Sequence, residues 1–167
     1  AYYNVGSFLL DIGRDGKTFT EVWSTSERRK KNRRIEPVLG IHWTTPILHD
    51  GHLYAFSGRN EPDALFRCVE LKNGRVKWSR DERWRAYSSK QPNVYGRGSA
   101  IMADGKLFVL GEGGLLGLFE VNAAKPVELG RHQVPELHYP CWAAPILSDK
   151  RMVIRSEDYL ICFDVAK

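Results

Sequence analysis

One segment of the chain occurs twice. WTTPILHD, from Trp43 to Asp50, returns as WAAPILSD, from Trp142 to Asp149, at a constant offset of 99 residues with five of eight positions identical. A degraded copy lies between them. Ala100-Ile101-Met102 replaces Pro46-Ile47-Leu48, and Asp104-Gly105 replaces Asp50-Gly51, so the offset divides into units of 54 and 45 residues. Fixed-period similarity of this length constrains a fold more than any local propensity, because each unit must be one supersecondary block that stacks on the next.

A second pattern follows the first. Cys68-x-Glu70, Asn73-Gly74 and Trp78 repeat an earlier Leu9-x-Asp11, Asp15-Gly16 and Trp23. In the third copy Leu118-x-Glu120 remains, while the turn glycine and the tryptophan are lost within NAAKPVELG. The last copy begins at Cys162-x-Asp164. In LFRCVELKN, Leu65, Arg67, Val69 and Leu71 alternate with Phe66, Cys68 and Glu70, which is a strand period with apolar groups on both faces. Asp-Gly and Asn-Gly between such runs mark hairpins, where glycine takes positive φ without steric cost. The best-preserved unit predicts strands over 42–48, 53–56, 65–71 and 76–78. The third predicts 98–102, 106–110, 115–121 and 126–132. No segment has a helical period of useful length.

Four-stranded units of 40–50 residues predict an all-β fold, a β-propeller of four-stranded antiparallel blades. The units fall at about 1–23, 41–79, 97–132 and 141–167 within a single domain. The first lacks its innermost strand and the last its outermost, so three to four blades are present where rings have about four to eight. The predicted object is an incomplete arc of a larger ring, with a compact sandwich-like packing of the same strands as the alternative. Its two flanking faces are apolar, which predicts self-association or cover by a second chain or further blades.

The pattern resembles the pyrroloquinoline-quinone-like, or quinoprotein-type, β-propeller repeat. That repeat has a small residue, an acidic residue, a Gly turn and a Trp, after a strand of the P-x-x-x-D-G-x-x-Y kind. Cys68, Glu70, Asn73, Gly74 and Trp78 stand in the former places, and Pro46, Asp50, Gly51 and Tyr54 in the latter. The resemblance implies that Trp23 and Trp78 dock between neighbouring sheets and that Glu70 holds the Gly74 turn. A buried Trp ring covers on the order of 200 Å², enough to staple two sheets. A carboxylate before the turn can take up N–H groups otherwise unpaired. The family holds quinone-dependent dehydrogenases and non-enzymatic scaffolds. Many of the alcohol-oxidising members carry two adjacent cysteines and a calcium-binding set with an Asp base. The present chain has no adjacent cysteines, and spacing places no such set. The resemblance also implies an exported bacterial protein, periplasmic or extracellular.

Candidate sites follow from the architecture. His42 and Trp43, Arg97 and Ser99, and Cys141 and Trp142 open the innermost strands of three successive units, so they are expected to converge at one end of the axis. Trp43, Arg97 and Trp142 there suit a planar anionic ligand by stacking and charge pairing, or else fill the inner core. The connection carrying Arg83, Trp84, Arg85 and Tyr87 has the composition of a protein contact, or of a lid on its own sheet. A third candidate is the run ERRKKNRR. Arg28, Arg29, Lys30, Lys31, Arg33 and Arg34 supply six positive charges, and with them set aside the net charge falls from +5 to −1. That run is a solvated loop or a polyanion contact. No aromatic interleaves it, so nucleic acid is not expected.

His49-x-x-His52 straddles a turn and suggests no metal site. The GEGG segment at 111–114 precedes no helix and is expected to be a hairpin turn, not a phosphate cradle. No acid–base pair or nucleophile elbow appears, so no catalytic residue is assigned. Cys68, Cys141 and Cys162 have no CxxC spacing and sit among apolar neighbours, which predicts buried free thiols. The reading favoured is a non-catalytic quinoprotein-like scaffold for protein or ligand binding, with no cofactor. The alternatives are a fragment of a PQQ-dependent dehydrogenase, with its quinone and calcium, and a polyanion-binding module. No run of 18 apolar residues exists to form a membrane-spanning helix.

Overall fold

The computed structural model describes residues 6–25, 37–84 and 93–166. These residues form four antiparallel sheets in chain order. The first blade contributes β1 (Phe8–Ile12) and β2 (Phe19–Ser24). The second contains β3 (Ile47–His49), β4 (His52–Ser57), β5 (Leu65–Glu70) and β6 (Arg75–Asp81). The third contains β7 (Ser99–Ala103), β8 (Lys106–Leu110), β9 (Leu115–Glu120) and β10 (Val127–Gln133). The fourth contains β11 (Ile146–Ser148), β12 (Arg151–Arg155) and β13 (Leu160–Asp164). Each sheet is a simple meander in which sequential strands are hydrogen-bonded neighbours. The fold is thus an incomplete β-propeller. The first blade has two strands among the described residues where three were expected, and the innermost strand of the second starts at Ile47 instead of residue 42.

Local chemistry sets the meander. Asp50 and Gly51 both adopt positive φ (44° and 69°), as do Asp104 and Gly105 (47° and 66°). These are the tight two-residue turns whose twist matches paired strands. The last blade uses Asp149 and Lys150 (46° and 60°), so a lysine occupies a left-handed position. Asn73-Gly74 departs from the expected two-residue form. It closes a four-residue loop in which Gly74 alone has positive φ (68°) and its N–H bonds to Glu70 O at 2.9 Å.

Alternation then builds the layers. Phe66 and Cys68 face the third blade and pack with Tyr54, Trp78, Leu107 and Phe119, whereas Val69 faces the other way, onto Ala55 and Leu39. A further cluster joins the third and fourth blades through Leu110, Met152 and Ile154. The outer faces of the arc have no following sheet among the described residues. Phe8, Ile12 and Phe19 are exposed on one flank, and Ile146, Tyr159 and Leu160 on the other. Cys68 and Cys141 are buried, but Cys162 is exposed, contrary to the expectation for all three. Cys162 lies on β13 beside exposed Leu160, on the face where a further blade would pack. No helix among the described residues is long and apolar enough to cross a membrane.

Candidate functional site

The loops entering β3, β7 and β11 meet at one end of the arc. Trp43 and Trp142, 99 residues apart, lie with ring centroids 5.4 Å apart at 44°. His42 stands 4.7 Å from the Trp43 ring. Arg97, the equivalent residue of the third blade, places its guanidinium 4.6 Å over Trp43. Ser99 donates to the Trp142 carbonyl at 3.3 Å. Five of the six residues named from the sequence are therefore neighbours, and the sixth, buried Cys141, donates its backbone N–H to the Glu112 carbonyl at 2.9 Å. The platform continues through Tyr139, which is 6.0 Å from Trp142 and 5.6 Å from Trp84 in edge-to-face contacts.

Arg97 is held from beneath. It is 7 % exposed, and its Nη2 pairs with Glu112 Oε2 at 2.9 Å. Its backbone N–H donates to the same carboxylate at 2.9 Å. Nη1 reaches the Arg59 carbonyl at 3.2 Å and His42 Nδ1 at 3.3 Å. The positive charge is thus matched inside the protein, and Arg97 offers a flat cation face more than a free charge. Glu112 belongs to the GEGG turn, where Gly114 N–H bonds to Gly111 O at 3.0 Å and Glu112 N–H to Tyr95 O at 3.0 Å. Gly96 must stay a glycine beside it. Its φ is +65°, and a Cβ would strike Glu112. Sequence reasoning passed over Glu112, although a single carboxylate among glycines was the available signal.

The upper surface is open. Trp142 is 44 % and Tyr139 46 % exposed. The buried Trp43 Nε1–H meets no acceptor among the described residues. Beside Trp142 lies a recess of about 360 Å³ lined by Pro140, Ala143, Arg155, Ser156 and Glu157. Arg83 forms a fork with Asp81, at 2.8 and 2.6 Å. Arg85 and Tyr87 lie outside the described residues, as do Arg28, Arg29, Lys30, Lys31, Arg33 and Arg34.

The motif tryptophans lie elsewhere, between sheets. Trp23 Nε1 donates to Leu71 O at 2.6 Å, and its ring lies 3.0 Å from where a Cβ on Gly74 would be. Trp78 Nε1 donates to Asn122 O at 2.8 Å on the next blade. Glu70 accepts from the Asn73 side chain at 2.6 Å and lies 3.3 Å from Lys72 Nζ, so it braces the turn through side chains. A polar seam between the second and third blades was not foreseen. Glu128 accepts from Tyr95 Oη (2.7 Å) and Arg131 Nε (2.6 Å), and lies 2.7 Å from Arg80 Nη2. Arg80 Nε also lies 2.9 Å from buried Glu82. Burial pushes the Glu128 carboxyl up, but the bonds from Arg131 and Tyr95, with the charge of Arg80, hold it below the ordinary value. Burial dominates at Glu82 and pushes its carboxyl up. Among the described residues, no three of His, Cys, Asp and Glu gather as a metal site.

Four meandering sheets with an aromatic axial end define the class: a β-propeller arc, similar in fold to quinoprotein-type propellers. Solved structures bear this out. BamB from Moraxella catarrhalis superimposes with a TM-score of 0.58 at 11 % identity over 95 % of this chain and 40 % of its own. The quinohemoprotein alcohol dehydrogenase ADHIIG from Pseudomonas putida HK5 gives 0.54 at 20 % identity over 76 % of this chain and 19 % of its own. The computationally designed Ika8 protein gives 0.51 at 10 % identity over 95 % and 43 %. The chain therefore spans less than half the length of each of these structures. No family model and no curated protein matches the sequence.

Proposed function

We propose that this arc belongs to a non-catalytic propeller of the quinoprotein-like type, and that its aromatic axial end is a protein-binding face. The observation that carries the reading is the continuous series Trp84–Tyr139–Trp142–Trp43, half open to solvent over an internally neutralised Arg97. Exposed Trp and Tyr with a flat guanidinium are the groups that dominate protein contacts, because they bury much area at small entropic cost. The rigid sheets beneath supply preorganisation. Export to the periplasm or beyond follows from the family resemblance, and cell fractionation tests it.

A dehydrogenase reading finds less support. Arg97 is the cation placed to meet an anionic quinone, and it is closed on Glu112. The described residues also bring together no carboxylate set fit for calcium. Addition of quinone and calcium should leave the visible spectrum and melting temperature unchanged.

The test of the main reading is affinity capture from the source cells with the unaltered protein and the Trp142→Ala/Tyr139→Ala pair, quantified by mass spectrometry. The pair should lose specific partners while keeping its melting temperature within a few degrees. Identical partner sets would contradict the reading.

A further inference from the structure

The third blade lacks its stapling tryptophan, and the structure shows what stands in its place. Leu9 pairs with Trp23 and Cys68 with Trp78, each beside a one-residue register shift. In the third blade Leu118 pairs with Gly130, beside a shift at the same point. Gly130 therefore occupies the tryptophan position, and a Cβ there would meet nothing within 4 Å. The space that an indole fills at the two preceding junctions is here an open groove of about 360 Å³. Phe108, Leu116 and Leu118 line it from the third blade, and Met152, Phe163 and Val165 from the fourth.

The far wall carries the expected acceptor position. Trp23 and Trp78 donate to Leu71 O and Asn122 O, in the turns that follow the third strand of the next blade. Leu71 N–H bonds to Gly51 O, Val121 N–H to Gly105 O, and Val165 N–H to Lys150 O. Val165 thus matches Leu71, and Ala166 matches Asn122. An apolar cavity of about 150 Å³ is already enough to hold a benzene ring.

We propose that this groove is a binding site for a free planar bicyclic aromatic molecule bearing one ring N–H, of the indole class. The ring lies between the third and fourth sheets where a tryptophan side chain lies at the two earlier junctions. Its N–H donates to the backbone carbonyl of Val165 or Ala166. The site is distinct from the axial face and does not depend on its role.

Indole itself is the probe, titrated into the full chain with thermal melts and two-dimensional NMR. Indole should raise the melting temperature of the unaltered protein and give nuclear Overhauser contacts to the methyls of Leu118 and Val165. Benzofuran, which lacks the N–H, should bind about tenfold more weakly. Gly130→Trp should fill the groove, raise the melting temperature by on the order of 5 °C without ligand, and abolish the response to indole. The NMR contacts decide the matter even where that variant fails to fold. Absence of those contacts, an equal response in Gly130→Trp, or equal affinity for benzofuran would overturn the proposal. So would a light-scattering result in which Gly130→Trp dissolves a self-associated species, because the occupant would then be a second copy of the chain.

Discussion

At the residue scale, Trp78 shows how one side chain links two sheets. It is 9 % exposed, packs edge-on to Phe66 at 5.3 Å, and ends on a carbonyl of the next blade. Trp78→Ala removes the ring and the bond together and leaves a cavity. The expected loss is about 3–5 kcal/mol in denaturant unfolding, with a smaller loss for half-buried Trp23. Glu128 provides a second handle. Its folded carboxyl titrates below the unfolded value, so its contribution is present above about pH 4.5 and is lost as pH falls through the folded value. Glu128→Gln should cost about 1–3 kcal/mol at neutral pH. The gap from the unaltered protein should narrow progressively in melts taken as pH falls from about 4.5 through the folded value. Glu82 acts in the opposite sense. Its raised carboxyl costs stability at neutral pH, and that cost is relieved as pH falls through the folded value.

At the element scale, the turns separate what the sequence announces from what it conceals. Asp50-Gly51 and Asp104-Gly105 are plain signals, and both are tight turns of positive φ. Asp149-Lys150 makes the same turn with a side chain where glycine belongs (φ 60°). Lys150→Gly should therefore stabilise the fourth blade by about 0.5–1 kcal/mol, measured by thermal unfolding. The strands of the second and third units were legible because their alternation and turn chemistry agree. The convergence of Trp43, Arg97 and Trp142 was legible because equivalent positions in a radial repeat must approach one axis. Glu112 and Tyr139 were not, since they sit in a turn and a connection where no period constrains a residue. Arg80 and Glu128 lie on β6 and β10, where the strand period fixes the face a charge takes but not its partner on another blade. Cys162 misled for a related reason. An apolar neighbourhood in sequence becomes burial only where another sheet covers the strand.

At the scale of the whole molecule, the arc explains both its stability and its open surfaces. Interior sheets are covered on both faces, and the sheets at either end present Phe8, Phe19, Ile146 and Leu160 to solvent. The axial face exists only because three successive blades bring their entrance loops together. The contact between Trp43 and Trp142 therefore tests the account most directly, since it joins units separated by a whole blade. Selective labelling of the tryptophan rings, followed by nuclear Overhauser spectroscopy on the native protein, measures it. Radially stacked blades require a cross-peak between the two indoles, with centroids 5.4 Å apart. A folded protein in which those two rings show no mutual contact would contradict the arrangement and the binding face built on it.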